Sequence, residues 1–235
     1  MRGAEIIASL NEDFGEKRSE KLWVEIERFL GEARISIGEV DLFGVCVGPG
    51  GFTGLRVGMA AALGFAAATG KPIIGISSLE AAAASAGDAP AVLAMTNAYR
   101  GEVYSQLFRC DRGCAPVAEN EPLVSTFRDA LDRVAHSEKL VFAGDAAREN
   151  ADLIRELAGE VRGGDSSQLP QGWVIQSSDT SFADEIARLA LLRLAKGDVG
   201  SPERVKACYV RPAEAEIKLA KGLLGSKIER VRRGK

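Results

Sequence analysis

Apolar positions along the chain alternate between short unbroken runs and stripes spaced three and four residues apart, the rhythm of strands and helices taking turns. Ala4 to Leu10 reads as a strand, and Lys17 to Ala33 as a helix whose Leu22, Ile26, Phe29 and Ala33 form one stripe, with Trp23 and Leu30 at its edge. A short apolar run from Asp41 to Val47 predicts a strand buried on both faces, closed by Gly48-Pro49-Gly50-Gly51. The pattern continues with a helix over Thr53 to Thr69, a strand over Ile73 to Ile76 and a helix over Ser78 to Ala86. Val92 to Thr96 and Glu102 to Phe108 predict a hairpin around residues 97–101. Beyond it come a strand at Leu140 to Ala143, helices near Ala146 to Ala158 and Ser181 to Lys196, and a final strand around Ala207 to Arg211. The fold class is α/β. The loop Ser85 to Pro90 divides it into a first lobe over 1–90 and a second over 91–199, with 200–214 returning to the first lobe and 215–235 as a basic tail.

The glycine turn joins a strand to a helix. Thr53 is the expected N-cap, and glycines at a helix start present amide donors and a partial positive charge, so Gly48, Pro49, Gly50, Gly51, Phe52, Thr53, Gly54 and Arg56 form a candidate anion or nucleotide loop. The competing reading is that these glycines only let strand and helix pack closely. Neither a Walker loop nor a dinucleotide loop is matched, because no Lys-Ser/Thr follows the last glycine and Thr53 stands where a dinucleotide loop needs glycine.

The helix after the turn is small on almost every face, through Gly54, Gly58, Ala60, Ala61, Ala62, Gly64, Ala66, Ala67 and Ala68. Such a surface admits another helix closely, with Leu55, Met59, Leu63 and Phe65 as its few knobs. The neighbour is either part of the same domain or a partner. Its uninterrupted apolar run after Arg56 is shorter than the roughly 20 residues a membrane span requires.

Composition narrows the chemistry. With 235 residues, 46% hydrophobic and 27% charged, the chain has the makeup of a globular protein. Cys46, Cys110, Cys114 and Cys208 are dispersed, which fits reduced thiols in a cytoplasmic protein, with Cys110 and Cys114 sharing one loop. The net charge of −3 argues against broad nucleic-acid binding, while Lys218, Lys221, Lys227, Arg230, Arg232, Arg233 and Lys235 make a basic tail that is either solvated or in local contact with RNA or an acidic partner. His136 is the single histidine, lies in a polar stretch and is expected on the surface, so a histidine-based metal site is not expected. No Gly-x-Ser-x-Gly elbow marks an activated serine, and no catalytic residue or resident metal is assigned.

Four stretches together resemble the bacterial TsaB (YeaZ) family: Gly48-Pro49-Gly50-Gly51-Phe52-Thr53-Gly54-Leu55-Arg56-Val57-Gly58, Pro72 to Leu79, Ala98-Tyr99-Arg100-Gly101-Glu102-Val103-Tyr104, and Cys208-Tyr209-Val210-Arg211. They occur in the family's order across most of the chain. The resemblance implies a two-lobed fold of the actin-like ATPase (ASKHA) superfamily. It also implies a non-catalytic scaffold that dimerises with the TsaD-type catalytic subunit in making threonylcarbamoyladenosine (t6A) in ANN-decoding tRNAs. The family's interface helices correspond to 17–33 and 53–69, which makes Leu22, Trp23, Ile26, Phe29, Leu30, Leu55, Gly58, Met59, Ala62 and Leu63 the implied partner interface. ATP, ADP and metal would belong to the partner, a TsaE-type ATPase would join the complex, tRNA would be met indirectly or through the basic tail, and the chain alone would form a homodimer. Family members open with two further strands ahead of the segment matching Gly3 to Asn11, so the first lobe is expected to be shortened here, by a late start or a truncation. An independent homodimeric binding module and a weak nucleotide-binding ATPase-like protein are the alternative functions.

Overall fold

Val92, Leu93, Ala94 and Met95 point alternately to the two faces of one strand, and the larger sheet is built around it. The structure is a computed structural model describing residues 1–12, 18–111, 113–165, 167–177 and 181–211. Its helices are α1 (Arg18–Ala33), α2 (Phe52–Thr69), α3 (Ser78–Ala84), α4 (Phe127–Val134), α5 (Asp145–Glu149), α6 (Ala151–Arg162) and α7 (Phe182–Ala195). Its strands are β1 (Phe43–Gly48), β2 (Ile73–Ser77), β3 (Ala89–Tyr99), β4 (Glu102–Cys110), β5 (Val117–Ala118), β6 (Leu123–Thr126), β7 (Leu140–Ala143) and β8 (Trp173–Ile175).

The six-stranded sheet runs β5-β4-β3-β7-β8, with β6 also on β4. Strands β3, β7 and β8 are parallel neighbours, and the hairpin β3–β4 is antiparallel. On one face Leu93, Met95 and Phe142 pack with Leu131 of α4 and Ile154 of α6. On the other, Val92, Ala94 and Tyr104 pack with Leu79, Ala82 and Ala83 of α3. The second sheet is the parallel pair β1–β2. Helix α2 covers one of its faces through Met59 and Ala66 against Val45 and Ile73, and α7 covers the other through Ile186, Leu189 and Ala190 against Ile74 and Ile76.

Helix α3 belongs to both halves. Ser77 caps it, its hydroxyl accepting from the amides of Leu79 at 3.2 Å and Glu80 at 3.5 Å. Its alanines allow close approach on both sides, with Ala81 in the cluster under α7 and Ala82 and Ala83 in the cluster on the large sheet. Glu80, almost fully buried, accepts from Arg193 of α7 at 2.5 Å, and the same guanidinium donates to the Gly75 carbonyl at 2.8 Å.

Several expectations need correction. Residues 4–10 are not a strand: their burial alternates as a strand's would, with Ile6, Ala8 and Leu10 turned inward, yet no ladder forms among the described residues beyond the isolated bridge of Arg2 with Glu5. Residues 207–211 are irregular chain that bends at 210 and 211 and forms no ladder among the described residues; one bond from the Cys208 amide to the Val47 carbonyl at 2.7 Å joins them to β1. The helix expected over 146–158 is two helices, because Asn150 (φ −116°) ends α5, its side-chain amide donating to the Ala146 carbonyl at 2.9 Å. Cys110 does not share a loop with Cys114: it closes β4, is buried, and its thiol donates to the Ala83 carbonyl at 3.4 Å. By length and composition α2 is apolar enough to cross a membrane; here it lies along β1. Lys17 and the basic tail lie outside the described residues.

Two outcomes test this packing. Arg193→Ala strips the buried Glu80 carboxylate and the Gly75 carbonyl of their donor, so urea titration is expected to show a loss of about 2–3 kcal/mol. Burial pushes the Cys110 thiol up to about 11, which keeps it protonated at pH 8. Iodoacetamide on the folded protein is therefore expected to label exposed Cys114 and spare Cys110, as read by peptide mass spectrometry; equal labelling of both would contradict the placement of β4.

Candidate functional site

The chain leaves β1 through Gly48, whose φ of +91° is one that side chains rarely adopt. The peptide to Pro49 is cis, Pro49 is fully buried, and its carbonyl accepts from the Ser78 hydroxyl of α3 at 2.5 Å. Helix α2 then begins at Phe52. Its N-cap is Gly51 in extended conformation without a side-chain cap, so Thr53 lies inside the first turn and does not cap it. No acid stands in that turn, and Arg56 is the helix's single charge.

Three side chains gather at this helix start. The Arg56 guanidinium lies 3.7 Å from the centroid of the Phe52 ring, and its Nε donates to the Tyr209 hydroxyl at 3.0 Å. Phe52 and Tyr209 in turn approach with ring centroids 5.5 Å apart. Tyr209 reaches the site because residues 205–211 run as a strap between the halves. Val205 packs under α2, the Cys208 amide bonds to β1, and Val210 packs on the α3 side of the large sheet. Arg211 closes the strap by pairing with Glu102 and donating to the Ala98 carbonyl. Burial raises the pKa of both Cys46 and Cys208, so neither thiol beside the turn is primed as a thiolate.

Behind the turn lies a cavity of ≈ 1170 Å³. It is bounded by α1, α2, β1 and α3, with Gly144 at the start of α5, Asp145 and Arg148 within it, and Phe182, Ala183 and Glu185 of α7. Of the residues expected at a partner interface, Leu22, Ile26, Phe29, Leu30, Leu55, Gly58 and Ala62 line this cavity. Met59 is buried against the small sheet and Leu63 is packed beside it. Trp23 is half exposed, set edge-on to Phe65 with centroids 5.4 Å apart. In the glycine turn, Pro49, Gly50, Gly51 and Gly54 also border the cavity, whereas Phe52, Thr53 and Arg56 face outward. Glu185 stands on the cavity wall with its pKa raised by burial, an effect opposed by Arg188.

The face of α2 turned away from the molecule was not singled out by the sequence. It consists of Thr53, Arg56, Ala60, Gly64, Ala67 and Ala68, all exposed. Periodicity could not find it, because the helix is apolar all round and has no polar stripe to mark an outside. Tyr99 is also near the site. A bulge between Asn97 and Tyr99 and a φ of +62° turn this residue toward the glycine turn, where its hydroxyl would lie 3.2 Å from a β-carbon placed on Gly51. His136 is exposed in the loop after α4. Among the described residues no group of three or more His, Cys, Asp or Glu side chains is placed to hold a metal ion.

Comparison with known proteins gives this geometry a lineage. The structure is similar to YeaZ from Pseudomonas aeruginosa, with a TM-score of 0.63 at 23% identity, covering 84% of this chain and 86% of that one. In sequence, a Mycobacterium leprae protein, ML0378, is 41% identical over 91 residues, which is 38% of this chain and 24% of that protein. The tRNA N6-adenosine threonylcarbamoyltransferase of Thermodesulfovibrio yellowstonii is 38% identical over 64 residues, 27% of this chain and 19% of that enzyme. The matches thus span less than half the length of these curated relatives. The family described as TsaD, tRNA N6-adenosine threonylcarbamoyltransferase, matches residues 10–171 of the 235. The chain belongs to this TsaD family, and its mixed α/β architecture is the YeaZ fold.

Proposed function

We propose that the chain is a non-catalytic scaffold or activator subunit that pairs with a TsaD-type catalytic subunit in forming t6A on tRNA. The observation that carries this reading is the outer face of α2. A helix with a single charged residue normally lies inside a protein, yet of α2's residues only Met59, Ala61 and Ala66 are fully buried and one whole face is exposed. Ala60, Gly64, Ala67 and Ala68 offer a partner's helix a surface with almost no side chain to hold the two backbones apart. Leaving such a face in water is unfavourable by roughly 25 cal/mol per Å² of apolar surface, so covering it favours association. In this assignment the nucleotide and metal sit in the catalytic subunit, a TsaE-type ATPase acts on the pair, and the complex is cytoplasmic. The same face could also meet a second copy of itself across a two-fold axis, and this is the competing reading.

Light scattering after size exclusion, with the chain alone and mixed with the TsaD-type subunit, tests both. Wild type is expected to give a new one-to-one peak, and Ala67→Glu on the outer face is expected to abolish it, since it places a charge in a desolvated contact. A homodimer that persists beside the partner would favour the competing reading, and an Ala67→Glu variant that still pairs would remove α2 from the interface. Gly58 borders the inner cavity, and an added β-carbon there meets nothing within 4 Å. Gly58→Ala is therefore expected to stabilise the chain by about 0.5–1 kcal/mol in thermal unfolding and to leave pairing intact.

A further inference from the structure

The start of α2 differs chemically from the rest of its outer face: alanine and glycine give way to exposed rings and a guanidinium. Phe52 is 41% exposed, Tyr209 49% and Tyr99 64%; Phe52 and Tyr209 meet beside Arg56, and the Tyr99 hydroxyl comes up to Gly51 next to them. They come from three distant parts of the chain, so their meeting is a product of the fold. The backbone is also shaped to present one of them. Tyr99 sits in the left-handed region beside a bulge, at a hairpin end where glycine or asparagine is the local preference. Arg56 stands over the Phe52 ring and is anchored through Nε, and among the described residues its two terminal amino groups carry no hydrogen bond.

We propose that Phe52, Arg56, Tyr99 and Tyr209 form a stacking site for unpaired nucleotides of RNA. Exposed rings offer π faces to bases of any identity, and a pre-oriented guanidinium can stack on a base or bond a phosphate with its free amino groups. The patch also lies at one end of the α2 face assigned above to the catalytic subunit. The inference rests on the t6A reading, since it takes RNA as the ligand of a tRNA-modifying complex.

The test is fluorescence anisotropy at one fixed salt concentration. The probes are a labelled mixed-sequence single-stranded RNA, a labelled RNA duplex of equal length and an ANN-decoding tRNA transcript, each with the chain alone and with its complex with the TsaD-type subunit. Phe52→Leu keeps an apolar side chain but removes the π face; Tyr99→Gly removes the ring and suits the backbone. Each is expected to weaken single-strand and tRNA binding about ten-fold, leave duplex binding unchanged and leave the one-to-one complex intact. Circular dichroism melts of both variants confirm that they are folded. Unchanged affinity in folded variants would overturn the proposal, as would equal losses for duplex and single strand. Loss of the one-to-one complex with RNA affinity retained would overturn it in favour of a protein contact. Failure of wild type to pair at all would count against the t6A reading, whereas ring-dependent RNA binding by the chain alone would still uphold the platform.

Discussion

The region around the glycine turn depends on the backbone of one residue. At Gly48 a β-carbon would come within 2.9 Å of Leu55 Cδ2 and 3.3 Å of the Cys208 carbonyl, in a conformation already disfavoured for any side chain. With glycine there, the turn can tuck Pro49 under α3, start α2 three residues later, and let residue 208 lie against the end of β1. Strand, helix and strap all converge on this point. The outward placement of Phe52 and Arg56 follows from where α2 begins, and the placement of Tyr209 follows from where the strap crosses.

From that junction the two halves are assembled with small residues. Helix α3 serves both hydrophobic clusters because alanines on its opposite sides admit β2 and α7 from one direction and the large sheet from the other. The Glu80–Arg193 pair then fixes α7 against it, spending a buried carboxylate on orientation. At Gly144 (φ +106°) an added β-carbon would stand 2.2 Å from the Met95 carbonyl, so the large sheet and α5 also meet backbone to backbone. Close packing of this kind leaves little tolerance for volume, which contrasts with the roomy cavity beside β1.

Much of this order was legible in the residues. The run from β1 through α3 was readable because each element is long enough to show its period and is punctuated by Gly48, Gly70 or Ser77. The hairpin was readable from two apolar runs around Arg100-Gly101. The signal for α4 was present and went unread: Thr126 accepts from the Asp129 amide, and Phe127, Ala130, Leu131 and Val134 fall at helical spacing. Strands β5, β6 and β8 span two to four residues and show no period at all. Residues 4–10 failed the opposite way, since their alternation is genuine but a strand exists only beside another strand. At the site, the stripe of Leu22, Ile26 and Phe29 showed that α1 has an apolar face, not what lies opposite it. The one local hint of the aromatic platform was a Tyr-Arg pair at a hairpin end where turn chemistry favours Asn-Gly.

The strap carries a mechanical consequence. Val205 is held in the cluster under α2 and Val210 in the cluster against the large sheet, so five residues, at most ~17 Å of chain when fully extended, connect the two halves. Val205, the Cys208–Val47 bond and the Tyr209–Phe52 contact hold the strap to the small-sheet half, so any hinge motion that opened the molecule at this side would have either to pull Val210 from the large sheet and part Arg211 from Glu102, or to strip the strap from β1 and α2. The halves are therefore latched. A displacement of α2 relative to the large sheet is thus opposed at both ends of a five-residue tether.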